Sequence, residues 1–75
     1  MELVHLGTDD AGCVIDLDKL LSVRFYPKGD RVAHIQIVIT LGEGKTQSIE
    51  LYSDVAEAAW KQLRDRAKGS DSLAA

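Results

Sequence analysis

The sequence predicts an α+β fold: a single antiparallel β-sheet of about four to five strands, built from β-hairpins, followed by one C-terminal amphipathic α-helix packed on one face. From residue 21 to residue 52, apolar and polar side chains alternate with a period of two, which is typical of strands with one buried face. From residue 54 the apolar period becomes about 3.6, which indicates a helix. We therefore expect one compact domain over residues 1–68 and a flexible tail over residues 69–75.

The first part of the chain predicts a hairpin, a short helical turn and a third strand. The hairpin consists of a strand, a turn rich in Gly and Asp, and a returning strand: residues 2–6, 7–12 and 13–15. Asp16 can cap a single helical turn over residues 16–20. A strand follows over residues 21–26 and ends in a type I turn over Tyr26–Gly29, with Pro at its second position. The pattern leaves open whether the first hairpin joins the main sheet.

The segment from Val32 to Leu41 is the most regular strand pattern, and Gly42–Lys45 turns the chain into a last strand, Thr46–Tyr52. One phase of the alternation in the three main strands is expected to form the core face, which carries Val23, Phe25, Ile35, Ile37, Ile39, Ile49 and Leu51. Leu21 and Leu41 share the same phase at the ends of their strands. This face is the expected contact surface of the helix.

The predicted helix begins near Asp54, which forms a capping-box-like pattern with Glu57, while Ser53 is a competing cap. Its apolar stripe comprises Val55, Ala56, Ala59, Trp60, Leu63 and Ala67. Charged residues cover the opposite side: Glu57, Lys61, Arg64, Asp65 and Lys68. Trp60 is the largest apolar side chain of the stripe and therefore its expected anchor. Gly69 is a natural end to the helix.

Size, charge and cysteine content narrow the functional classes. A chain of 75 residues has a small core, so shared burial with a second copy would add stability. The net charge of −3 argues against a protein held on duplex DNA by phosphate neutralisation. Cys13 is the only cysteine, which excludes an intramolecular disulfide and fits a reducing cytosol. With no signal-peptide pattern and no apolar run long enough to span a membrane, we expect a cytoplasmic protein without membrane contact.

The strongest functional candidate is the sheet face that a single helix would leave open. Its candidate binding residues are Arg24, Tyr26, His34, Gln36, Val38, Thr40 and Tyr52, with Glu50 interleaved. Tyr and Arg concentrate binding energy at protein interfaces, so the leading hypothesis is a non-enzymatic protein–protein or self-association module, and the expected partner is a second copy in a homodimer or another protein. An idle solvated face is the structural alternative.

Single-stranded nucleic acid is the alternative ligand, because the same residue types stack on bases and pair with phosphates. In that hypothesis Arg24, Tyr26, His34 and Tyr52 bind the ligand, helped by Lys28 and Arg31 in the turn. The interleaved Glu50 and the acidic balance count against it.

Catalytic, metal and cofactor sites are not expected. Cys13, His5 and His34 lack zinc-ligand spacing, and Cys13 is typical of a small buried apolar residue. Gly42–Thr46 ends in Gly-Lys-Thr, but Ile39 stands where a phosphate-binding loop has its first glycine, so a hairpin turn is favoured. We therefore expect no enzymatic activity, no metal and no cofactor.

Overall fold

The computed structural model describes residues 1–69 and confirms the α+β class, with antiparallel strands and one C-terminal helix. The elements are β1 (Leu3–Gly7), β2 (Gly12–Asp16), a 3₁₀ turn (Leu17–Lys19), β3 (Leu20–Tyr26), β4 (His34–Gly42), β5 (Lys45–Tyr52) and α1 (Ser53–Gly69). Gly69, placed at the start of the predicted tail, is still helical, and residues 70–75 lie outside the described part.

The prediction of a single sheet is wrong, because the strands form two sheets. Within residues 1–69, strands β1 and β2 pair only with each other, from Leu3 opposite Asp16 to Gly7 opposite Gly12, while the second sheet has the order β3-β4-β5. Helix α1 contacts β1 as well as β4 and β5. One apolar core therefore joins both sheets through the helix, and its buried members are Val4, Leu6, Ile15, Ala33, Ile35, Ile37, Ala56 and Ala59.

The 3₁₀ turn separates the two sheets and confirms the predicted role of Asp16. Asp16 Oδ1 accepts hydrogen bonds from the backbone N–H of Asp18 at 3.0 Å and from that of Glu2 at 3.1 Å. The Leu17 N–H donates to the Glu2 carbonyl at 2.9 Å. These contacts fix the direction in which the chain leaves the hairpin, so that β3 starts a new sheet.

Gln62 of α1 holds the end of the hairpin. Its Nε2 donates to the Gly7 carbonyl and its Oε1 accepts from the Gly7 N–H, both at 2.9 Å. Gly7 has φ +128°, and a Cβ at this position would lie 2.5 Å from the Ala11 carbonyl oxygen. Only glycine fits here without strain, and its absent side chain lets the helix approach.

The core face of the three-stranded sheet is largely as predicted. Ile35 and Ile37 are fully buried, and the half-buried members packed around them include Val23, Phe25, Ile39, Ile49 and Leu51. The phase of the alternation across β3, β4 and β5 is therefore confirmed.

Leu21 and Leu41 share the predicted phase of the core face but lie outside the core, 56% and 55% exposed. The β3–β4 register shifts between Leu20 and Ser22, and the β4–β5 register shifts between Thr40 and Gly42. Each shift is a β-bulge that adds one residue to a strand and breaks the two-residue alternation. Leu20, opposite Ile39, takes the core position that this phase would give to Leu21.

The two connections within this sheet differ in length. The predicted tight turn at Tyr26–Gly29 is wrong: residues 27–33 form a loop in which the Gly29 N–H donates to the Arg31 carbonyl, and β4 starts at His34. The predicted turn at Gly42–Lys45 is confirmed. Glu43 and Gly44 both have positive φ, 55° and 77°, as a two-residue hairpin turn of type I′ requires.

Helix α1 follows β5 without a loop. Ser53 has φ +57°, and its N–H donates to the Ala33 carbonyl at 2.8 Å. Ala56 and Ala59 are fully buried, which brings the helix close to the sheet. Trp60 is half-buried and stacks in parallel on Phe25 with 5.1 Å between ring centroids. Trp60 therefore covers the rim of the core, whereas aliphatic side chains form the centre of the core.

Candidate protein-binding face

The face of the three-stranded sheet opposite α1 carries rows of side chains that cross all three strands. We call it the open face, because within residues 1–69 both the helix and the core side chains lie on its other side. The register defines three rows: Tyr26, His34 and Tyr52; Arg24, Gln36 and Glu50; and Ser22, Val38 and Ser48. Thr40 opposite Thr46 continues the face. All seven side chains proposed from the sequence thus lie on one surface.

The first row forms a continuous stack, which we call the aromatic ladder. The His34 ring lies 5.3 Å from the Tyr26 ring and 4.6 Å from the Tyr52 ring, with interplanar angles of 17° and 5°. Tyr26 and Tyr52 are 46% and 52% exposed. Two large aromatic side chains are thus held in place and still offer much of their surface to solvent.

The rings of the ladder stand on edge. Neighbouring strands lie about 4.8 Å apart, close to the ring separations, so the rings stack along the direction that joins the strands. Each ring therefore turns its edge to solvent above the sheet. Among the described residues no further aromatic ring stacks on the outer faces of Tyr26 and Tyr52, which point towards the two edges of the sheet.

Glu50 binds the central histidine from the second row. Its Oε1 lies 2.7 Å from His34 Nε2 and 3.5 Å from the Tyr52 hydroxyl. Because a carboxylate only accepts, Nε2 is the donor of this hydrogen bond. The sequence placed Glu50 on this face but not among the binding residues; the hydrogen bond gives it a place in the site.

A groove lies beside the ladder, between Tyr26 and the loop of residues 27–33. Its volume is about 490 Å³, and its lining side chains include those of Tyr26, Pro27, Asp30, Arg31, Val32 and His34. Sequence reasoning missed it because a tight turn was expected there. The one indication of a longer loop in the sequence is the mostly polar run between Pro27 and Ala33.

The other candidate residues do not converge. Cys13 is half-buried, and burial raises the pKa of its thiol, which disfavours the thiolate that a nucleophile needs. Cys13 pairs with Leu6, whereas His5 pairs with Val14. The side chains of Cys13 and His5 therefore point to opposite faces of the hairpin. Within residues 1–69 no three His, Cys, Asp or Glu side chains form a group that could hold a metal ion.

Comparison of the chain with protein-family models, with curated proteins and with solved structures gave no match. In the described part of the chain, no helix has the length and apolar character needed to cross a membrane.

Proposed function

We propose that this chain is a small non-enzymatic interaction module whose open face binds another protein chain. The observation that carries the proposal is the aromatic ladder, in which Tyr26 and Tyr52 stay about half exposed although His34 fixes both rings. Rigid, exposed tyrosines supply contact area at low cost in side-chain entropy. The surface is thus preorganised for binding.

The chemistry around the ladder suits a polypeptide. Two phenol hydroxyls, the Glu50 carboxylate and the Arg24 guanidinium provide donors and acceptors beside the apolar Val38. The adjoining groove adds both signs of charge, from Asp30 and Arg31, next to Val32. Mixed polarity around aromatic anchors is the usual anatomy of a non-obligate protein interface.

Single-stranded nucleic acid remains the second candidate, because Arg24 and Arg31 flank the ladder. The geometry supports it less. Bases stack on the faces of aromatic rings, and the ladder's rings use most of their faces on each other. Glu50 and the net charge of −3 add repulsion against phosphates.

The proposal includes a cytoplasmic location and no catalytic role. A free, half-buried Cys13 suits a reducing compartment. Its thiol lies across the hairpin from His5, so these two groups do not support a nucleophile and its base.

The test is a comparative capture experiment with immobilised protein and a double variant, Tyr26→Ala with Tyr52→Ala. We expect the unmodified chain to retain one or a few proteins from a cell extract, and the double variant to lose them while it remains folded by circular dichroism. Removing both anchors of an interface typically costs more than 2 kcal/mol of binding free energy.

The matched control is Leu3→Ala with Val14→Ala, which removes two side chains of similar exposure, 59% and 61%, from the hairpin. This control should retain the same proteins. If the ladder variant and the unmodified chain capture identical sets, the proposal is contradicted. Retention of a single-stranded oligonucleotide pool, reduced by salt, would instead favour the second candidate.

A further inference from the structure

The outer edge of β5 is a regular strand edge without a partner in the described part of the chain. Seven consecutive residue pairs join β5 to β4 without a bulge, from Thr46 opposite Thr40 to Tyr52 opposite His34. Within Thr46–Tyr52 there is no proline, and Glu50 is the one charged residue. Exposed edge strands usually carry prolines or several charged residues, because an edge strand without them pairs readily with other strands.

One hydrogen bond fixes which backbone groups of β5 face outward. Antiparallel strands bond through directly opposite residues at every second position. The register places Ser53 opposite Ala33, and the Ser53 N–H donates to the Ala33 carbonyl. Every second residue back along β5 therefore also bonds to β4: Leu51, Ile49 and Gln47. The alternate residues, Thr46, Ser48, Glu50 and Tyr52, point their N–H and C=O groups away from β4.

The outer edge of β3, on the other side of the sheet, is less suited to pairing with another strand. On β4 the residues that bond to β3 are His34, Gln36 and Val38, so only Val23 and Phe25 of β3 have a regular outward position. The bulge at Leu21 then interrupts this edge. The longer uninterrupted edge belongs to β5.

We propose that two copies of this chain pair antiparallel through the edges of β5, with Ile49 on the two-fold axis. This register alone pairs all four outward residues of both copies: Thr46 meets Tyr52 of the second copy, and Ser48 meets Glu50. On the core side Ile49 meets its own equivalent, and Leu51 meets Gln47. No like charges stand opposite each other, whereas a shift that centres Glu50 would set two carboxylates face to face.

The paired form is one six-stranded sheet in the order β3-β4-β5-β5-β4-β3. A two-fold axis perpendicular to the sheet keeps both open faces on the same side. The ring edges of both aromatic ladders stay exposed on this side, whereas the outer ring face of Tyr52 lies beside Thr46 of the second copy. The pairing itself is made by backbone groups, so this inference does not depend on the proposed function. Variants of the edge and variants of the ladder therefore test different claims.

The test compares Ser48→Glu with Ser22→Glu by sedimentation velocity over a concentration series. The two variants make the same change of charge in the same row of the open face, one at each edge of the sheet. We expect the unmodified chain to dimerise, Ser48→Glu to weaken the dimer because the new carboxylate meets Glu50 of the second copy, and Ser22→Glu to leave it unchanged.

Ser48→Pro is the second variant. The Ser48 N–H points away from β4, so proline there removes no bond within the chain, but it removes the hydrogen bond from Ser48 to Glu50 of the second copy and its equivalent across the axis. Loss of two such bonds should raise the dimer Kd about ten-fold or more. A strict monomer at every concentration would overturn the proposal. So would equal weakening by Ser22→Glu, or a dimer that only Tyr26→Ala with Tyr52→Ala disrupts.

Discussion

Asp16 is the residue that ties the hairpin to the rest of the chain. Its carboxylate accepts from the N–H of Glu2 at one end of the hairpin and from the N–H of Asp18 in the 3₁₀ turn. The pKa of Asp16 is lowered, chiefly by the hydrogen bond from the Glu2 N–H, since a charged acceptor is stabilised by donors that it holds only in the folded state.

This direction of shift predicts an acid-dependent loss of stability. Because the folded-state pKa of Asp16 lies below its unfolded value, the ionised carboxylate favours the folded state above the unfolded pKa, and this contribution disappears as the pH falls through the folded pKa. In Asp16→Asn the side-chain oxygen still accepts both bonds but carries no charge. We expect the unmodified chain to be the more stable at neutral pH, and the difference to shrink in acid.

Urea unfolding at a series of pH values measures this difference. Parallel pH profiles for the two proteins would show that the Asp16 charge does not contribute as the geometry requires.

At a few single positions the alternation in the sequence does not predict the burial seen in the structure. Alternation gives Leu21 and Leu41 the same phase as the core residues, because a bulge leaves no mark in a simple period-two pattern. The residues next to the two bulges indicate them only weakly. Leu20 is a second leucine that can take the core position, and Gly42 is a glycine that can adopt the positive φ of 89° found there. By contrast, Ile35 and Ile37 follow the pattern because β4 is paired on both sides.

At the scale of elements, the central feature is the attachment of the β1–β2 hairpin to α1. The helical period predicted the stripe that faces the sheet but not the contact made by Gln62, which the stripe did not include. A half-buried glutamine bonded to both backbone groups of Gly7 is a tertiary contact across 55 residues of sequence. No local pattern specifies such a pair, which is why the place of the hairpin stayed open.

Gln62→Ala should detach this end of the hairpin. It leaves the Gly7 N–H and C=O without their partner, and we expect a loss of about 1–3 kcal/mol in the free energy of unfolding. The amide of Gly7 should also exchange faster with solvent. Urea unfolding and amide exchange measured by NMR provide the two readouts.

Lys61→Ala is the matched control, because Lys61 is exposed on the same helix, and it should change the free energy of unfolding by less than about 0.5 kcal/mol. Equal effects of the two substitutions, or unchanged exchange at Gly7, would show that the clamp contributes nothing to docking the hairpin.

At the scale of the whole molecule, the helix and hairpin gather on one side of the three-stranded sheet. The core face was predictable because its residues alternate regularly and the helix supplies a matching stripe. The open face was predictable as a surface, since its residues occupy the other phase. Its internal order was not: the ring stacking, the contact from Glu50 to His34 and the groove all depend on three-dimensional register and on a loop whose length the turn pattern hid.

The central claim is that one face of this sheet is core and the other is free to bind. Ile37 and Val38 are neighbours on β4 and point to opposite faces, so Ile37→Ala and Val38→Ala compare the two faces directly by urea unfolding. Truncation of the fully buried Ile37 should cost about 2–5 kcal/mol, with Ile37→Val as the milder variant at about 0.5–1.5 kcal/mol. Val38→Ala should cost less than about 1 kcal/mol. Equal losses at the two positions, or a larger loss at Val38, would contradict the account.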